Sequence, residues 1–108
     1  MKYSSALLEI NTKNLIHNYK ALSKIAKHSK VGATIKANAY GLGDEKIFDI
    51  LYKIGCRNFF VATLDEAINI RSKFLKANLY VLNGVDTKYA NIVIKNKIIP
   101  IINSLEDV

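Results

Sequence analysis

Short apolar runs rich in branched and aromatic residues alternate with amphipathic stretches along this chain, and that alternation constrains its fold more than any other feature. Val31 to Lys36, Asn58 to Ala62, Leu79 to Leu82 and Ile98 to Ile102 read as strands, the last weakened slightly by Pro100. Ala6 to Ile10 is a shorter extended candidate ahead of them.

Each interval carries helix signals. Asn11 or Thr12 can cap a helix with Leu15, Tyr19, Leu22 and Ile25 or Ala26 on one face and Lys13, Lys20, Lys24 and Lys27 outward. Asp44 can cap a second, with Ile47, Ile50, Leu51 and Ile54 apolar, and Gly55 ends it. Thr63 and Glu66 make a capping box for a third, through Ala67, Ile70 and Phe74. After the Asn83-Gly84 turn, Asp86 can cap a fourth, carrying Ala90, Val93 and Ile94. Strands recurring at roughly 20 to 27 residues with helices between them predict an α/β fold of parallel βα units, helices on the outer face. Such units close into a barrel or spread into an open sheet. Both put reactive groups at the C-terminal ends of the strands, where Lys36, Leu82 and Asn103 fall. With no linker and no low-complexity segment, residues 1–108 read as one domain.

Half of the residues are hydrophobic, so a disordered tail is excluded. The net charge of +7 suggests a polyanion partner, but its distribution does not: lysines are dispersed, Arg57 and Arg71 are the only arginines, and no basic stripe forms to track a phosphate backbone. Neither nucleic acid nor a membrane is an expected partner, and no apolar run is long enough to span a bilayer. Cys56 stands alone, which rules out an intrachain disulfide, fits a reducing cytoplasm and suits a small buried hydrophobe. His17 and His28 lie eleven residues apart without acidic or thiol ligands at suitable spacing, so no metal site is expected. Asp65 and Glu66 are adjacent in a first helical turn, where helix-start electrostatics account for both.

The stretch from Thr34 to Asp44 is chemically distinctive. An amine, Lys36, ends an apolar run and is followed by small residues, the hydroxyl of Tyr40, and Gly41 and Gly43, which read as turn residues. A Schiff base with an aldehyde needs an unprotonated amine, which a desolvated strand end favours. Alternation places Gly32, Thr34 and Lys36 on one face, leaving room beneath the lysine for a ring.

Ile35 to Gly43, IKANAYGLG, resembles the pyridoxal-phosphate lysine motif of the alanine racemase family. The likeness extends through Leu8-Glu9-Ile10-Asn11, Leu15 and Asn18-Tyr19 before it, and through Gly55-Cys56, Phe59 to Ala62, Asp65-Glu66-Ala67 and Arg71 after it. That resemblance implies a (β/α)8 barrel of the TIM type, of which these residues are about the first half, followed by a β-rich domain, in a homodimer that interconverts L- and D-alanine for the cell wall. It implies pyridoxal 5'-phosphate bound covalently as a Schiff base to Lys36, which also moves the substrate proton on one face. Tyr40 matches the tyrosine that bonds the cofactor phosphate, and Leu82 a position lining its pocket. Leu7 to Ile10 matches a strand belonging with the β-rich domain.

The family also needs a tyrosine from the partner's second domain as opposite-face base, an arginine at the ring nitrogen, and phosphate ligands from later strands. None matches a residue here. Ser104 to Asp107 reads as a helix start that Val108 cuts short, so the expectation is a fragment, inactive alone, that binds cofactor or needs a complementary chain.

Overall fold

The computed structural model describes residues 9–107. Ala6, Leu7 and Leu8, most of the first extended candidate, lie outside them, and Glu9 and Ile10 are irregular. Four strands, β1 (Ala33–Thr34), β2 (Asn58–Val61), β3 (Asn78–Val81) and β4 (Ile98–Pro100), form one sheet in the order β1-β2-β3-β4, all neighbours parallel. Sequential order is what successive βα units give as they build toward a barrel, and four such strands are about half of an eight-stranded one.

The helices are α1 (Thr12–Ile25), the short α2 (Lys36–Tyr40), α3 (Asp44–Lys53), α4 (Leu64–Arg71) and α5 (Ala90–Lys95), the last entered through a 3-10 turn, Thr87–Tyr89. Another 3-10 turn, Leu105–Asp107, stands at the predicted helix start. Caps are largely as the side chains dictate. Asn11 accepts the Asn14 N–H at 3.0 Å, the Thr63–Glu66 box is formed, and Asp86 accepts the Lys88 N–H at 3.1 Å. At the end of α3, Gly55 (φ 109°) lets the Cys56 N–H reach the Leu51 carbonyl at 3.0 Å while its own N–H reaches Tyr52 at 3.1 Å. Asp44 differs: it is the first residue inside α3, where its carboxylate accepts the Glu45 N–H at 2.7 Å.

The core lies between the sheet and its helices. Phe59, Val61, Leu79 and Val81 point to this side and are fully buried, packed with Ile47, Phe48, Leu51, Ala67, Ile70 and Val93 from the helices. Phe48 is the hub, its ring 4.1 Å from Phe59 and 4.2 Å from Phe74, and each fully buried side chain of this size contributes about 1.5–3 kcal/mol. Apolar spacing passed over Phe48 in favour of Ile50 and Ile54, which are only half-buried. Leu22 and Ile25 of α1, and Ala90 and Ile94 of α5, are exposed although their spacing predicted burial. Both helices meet the core through fewer positions than their apolar faces offer, Leu15 and Tyr19 for α1 and Val93 for α5.

On the opposite side of the sheet, register aligns Thr34, Phe60, Tyr80 and Ile99 in one row. Phe60 and Tyr80 stack at 4.7 Å, and the row is half-buried or exposed. Gly32 meets this row as well. A Cβ there would lie 2.6 Å from the Phe60 ring, so the space that alternation left beneath the lysine is filled by a side chain from the neighbouring strand.

Candidate active site

The strand expected over Val31–Lys36 pairs only at Ala33 and Thr34, with one further bond from the Ile35 N–H to the Phe60 carbonyl at 2.8 Å. Ile35 is buried but already leaves the extended region (φ −119°, ψ 22°), so Lys36 opens α2 instead of ending a strand.

The segment α2 reverses the usual handedness. Ala37, Asn38, Ala39 and Tyr40 have φ between 51° and 57°, and Gly41 follows at 89°. For residues with a Cβ, each such position costs about 1–2 kcal/mol, so four in a row need support from outside the turn. Three contacts supply it. The Ala37 N–H donates to Glu66 Oε2 at 2.7 Å, and Asn38 Oδ1 accepts the Asp44 N–H at 2.8 Å, doing at the start of α3 what Asp44 was expected to do. Ala39 is buried in the core. Gly41 and Gly43 give their N–H groups to carbonyls of the same turn, Gly43 to Asn38 at 2.8 Å, which fits turn residues and leaves no phosphate loop there.

Lys36 is half-buried, and among the described residues its amine joins no ion pair or hydrogen bond. Tyr40 closes the same five-residue segment and is 65% exposed. Leu82 is two strands away, half-buried at the exit of β3, its N–H on the Val61 carbonyl at 2.8 Å and its own carbonyl taking Asn103 Nδ2 at 3.0 Å. All three sit at the C-terminal end of the sheet, Lys36 and Tyr40 in one turn and Leu82 across β2 from them.

Two residues that hold this turn, Asn38 and Glu66, carry no site signal in the sequence. Asn38 tolerates left-handed backbone and was the one side chain in the turn to advertise it. Glu66 carried only its capping-box signal, which explains one carboxylate oxygen and not the other.

The N-terminal end of the strands holds a recess of about 410 Å³ lined by Tyr19, Lys30, Arg57, Asn58 and Asn78, among others. Its polar groups are largely committed. Arg57 lies over the Tyr52 ring at 3.8 Å and bonds the Tyr52 and Cys56 carbonyls, and Asn58 Oδ1 accepts from Asn78 at 3.0 Å and Tyr80 at 3.2 Å. Nearby, burial pushes the Cys56 thiol and the Tyr19 phenol above their usual pKa values. No group of His, Cys, Asp and Glu side chains able to hold a metal occurs among the described residues, and no helix there is long and apolar enough to cross a membrane.

A profile of the alanine racemase N-terminal domain matches residues 10–108. The alanine racemase of Rickettsia africae is 41% identical over 106 residues, covering 97% of this chain and 30% of that protein. Among solved structures, the alanine racemase from Bartonella henselae with covalently bound pyridoxal phosphate superposes with a TM-score of 0.84 at 36% identity, over 91% of this chain and 28% of that one. A histidine racemase from Leuconostoc mesenteroides gives 0.78 at 27% identity, over 91% and 26%. The chain therefore spans less than a third of the length of these relatives.

Proposed function

Because the chain belongs to the alanine racemase N-terminal domain family, we propose that residues 1–108 form one partial barrel domain supplying the lysine side of a pyridoxal-phosphate-dependent racemase acting on alanine in the cytoplasm. One observation carries this reading: Lys36 is a half-buried residue whose amine has no partner among the described residues, on a backbone pinned immediately before and after it. An amine held ready but left uncommitted is what capture of an aldehyde requires.

The residues fit such a cofactor. An aromatic aldehyde with a phosphate arm asks for a free amine, a hydroxyl donor and an apolar wall, and Lys36, Tyr40 and Leu82 are of those three types at one end of the sheet. When bound, the cofactor withdraws electrons from the Cα–H bond of the amino acid. Lys36 would take or return that proton, the Tyr40 hydroxyl would donate to the phosphate, and Leu82 would line the pocket and exclude water. Alanine is preferred as substrate because the more similar relatives are alanine racemases, although the histidine racemase shows that the fold is compatible with a larger side chain. Racemisation needs a second base on the opposite face, placed by the family resemblance in a partner's second domain. The 108-residue polypeptide alone accordingly exchanges a proton on one face at most and does not racemise.

The open row of Thr34, Phe60, Tyr80 and Ile99 favours a second reading, in which the polypeptide acts only when a complementary chain covers that face, as the two halves of a split racemase would. Both readings share the Lys36 chemistry.

The test is to add pyridoxal phosphate to the purified chain, reduce with borohydride and map the label by mass spectrometry. Lys36 is expected to be modified well above every other lysine, and Lys36→Ala to remove that excess. Even labelling of all lysines, unchanged by Lys36→Ala, would overturn the cofactor reading.

A further inference from the structure

The carboxylate of Glu66 does two things with its two oxygens. Oε1 accepts the N–H groups of Ala62 at 3.0 Å and Thr63 at 3.1 Å, which is the capping box at the start of α4. Oε2 faces away from that cap and accepts the Ala37 N–H at 2.7 Å, across 29 residues of chain. A glutamate needed only as a cap would leave Oε2 to water. Here it holds the peptide that joins Lys36 to Ala37.

That peptide is where the backbone changes hand. Ala37 is the first of four non-glycine residues with positive φ, and before it Ile35 is fixed by the Phe60 carbonyl. The direction in which Lys36 leaves the main chain is thus held by three bonds: the Ile35 N–H to β2, the Ala39 N–H to the Ile35 carbonyl at 2.9 Å, and the Ala37 N–H to Glu66, the one of the three that a side chain supplies. Charge-assisted bonds of this kind are the strong ones, and Ala37 has no side chain able to hold its conformation by packing.

We propose that Glu66 is a positioning residue for Lys36. By holding the Ala37 N–H it keeps the turn left-handed and the amine aimed at its carbonyl target. The inference rests on the cofactor reading of Lys36 and adds to it a residue that touches neither cofactor nor substrate.

Two substitutions separate the two oxygens. Glutamine serves a capping box as well as glutamate does, so in Glu66→Gln the amide oxygen stays on Ala62 and Thr63 while the NH2 group confronts the Ala37 N–H, donor against donor. Thr63→Ala does the reverse, weakening the cap and leaving the Ala37 bond in place. Two readouts apply to the whole chain: hydrogen exchange at the Ala37 amide, which needs no cofactor, and borohydride-trapped pyridoxal phosphate on Lys36 relative to the other lysines.

Glu66→Gln is expected to speed Ala37 exchange and lower selective Lys36 labelling, each about tenfold, as loss of a bond to a charged acceptor implies. Thr63→Ala is expected to change neither selectively. Adding Ala37→Gly to Glu66→Gln, which gives the turn a residue at ease with positive φ, is expected to restore Lys36 labelling. Selective labelling that survives Glu66→Gln, or that falls equally in Thr63→Ala, overturns the positioning role. Uniform labelling of the unaltered chain instead overturns the cofactor reading, and Ala37 exchange still reports whether Glu66 holds the turn.

Discussion

Arg71 shows how a single side chain can be read correctly by type and wrongly by place. Dispersed basic residues suggested a solvated surface, yet Arg71 is only 7% exposed. Its Nε donates to the Asn96 carbonyl at 2.9 Å, Nη1 to Phe74 at 3.3 Å and Leu75 at 3.1 Å, and Nη2 to Lys97 at 3.2 Å. Burial lowers its pKa, but carbonyl dipoles at the ends of α4 and α5 stand in for the lost water, and the fork of five donors reaches several at once. Arg71→Met should therefore strand those carbonyls and cost about 3 kcal/mol, with Arg71→Lys intermediate because one ammonium cannot span them. Urea unfolding midpoints test this, and a loss under about 0.5 kcal/mol for Arg71→Met would show the network to be idle. Gly32 makes the complementary point. Alternation along one strand named its face correctly, but the occupant of the space, the Phe60 ring, comes from the adjacent strand and is invisible to periodicity.

Among the elements, those with strong local signals were legible and those held by tertiary contacts were not. The capping box of α4 and the glycine end of α3 are written in adjacent residues, and both formed. The left-handed α2 is not written that way. Alanine and tyrosine disfavour positive φ, so only Asn38 and the two glycines hinted at it, and the bond that sustains it comes from Glu66, 29 residues downstream. Helix α1 is the opposite case, strongly patterned but weakly docked. Its Tyr19 hydroxyl lies 3.5 Å from the Val31 carbonyl, with the Cys56 thiol 3.9 Å from the same oxygen. Burial, the leading cause, raises the pKa of both groups in the folded chain, whereas an unfolded chain titrates near the ordinary 9.0 for the thiol and 10.0 for the phenol. Their contribution is thus complete below pH 9.0 and is lost as pH rises from there through the raised folded values. The urea midpoint should decline as pH rises above 9.0, with Cys56→Ala delaying the decline. A midpoint that rises with pH over the same interval would contradict the assignment.

At the scale of the molecule, the recurrence of βα units specified parallel strands with helices on one side, but the same period suits a barrel or an open sheet. The sequential order β1-β2-β3-β4, together with superposition on alanine racemase, decides for part of a barrel. That choice has a physical consequence for the polypeptide on its own. Parallel sheets are ordinarily covered on both faces, and here Phe60, Tyr80 and Ile99 line a face that stays half-buried or exposed, while β1 and β4 are each paired on one side only among the described residues. An apolar row with an unpaired edge beside it is a template for a further strand, whether from a second copy or from a complementary chain. Ile99 lies at both the row and the β4 edge and is 37% exposed, so a charge there can reach water without unpacking the core. Ile99→Lys is accordingly expected to shift the chain toward monomer in sedimentation velocity while moving the urea midpoint by less than about 0.5 kcal/mol equivalent, as an edge lysine blocks strand addition at small cost to the fold. If the unaltered chain sediments as a monomer at every concentration at which Ile99→Lys is compared with it, the open face does not dock a second copy of this chain.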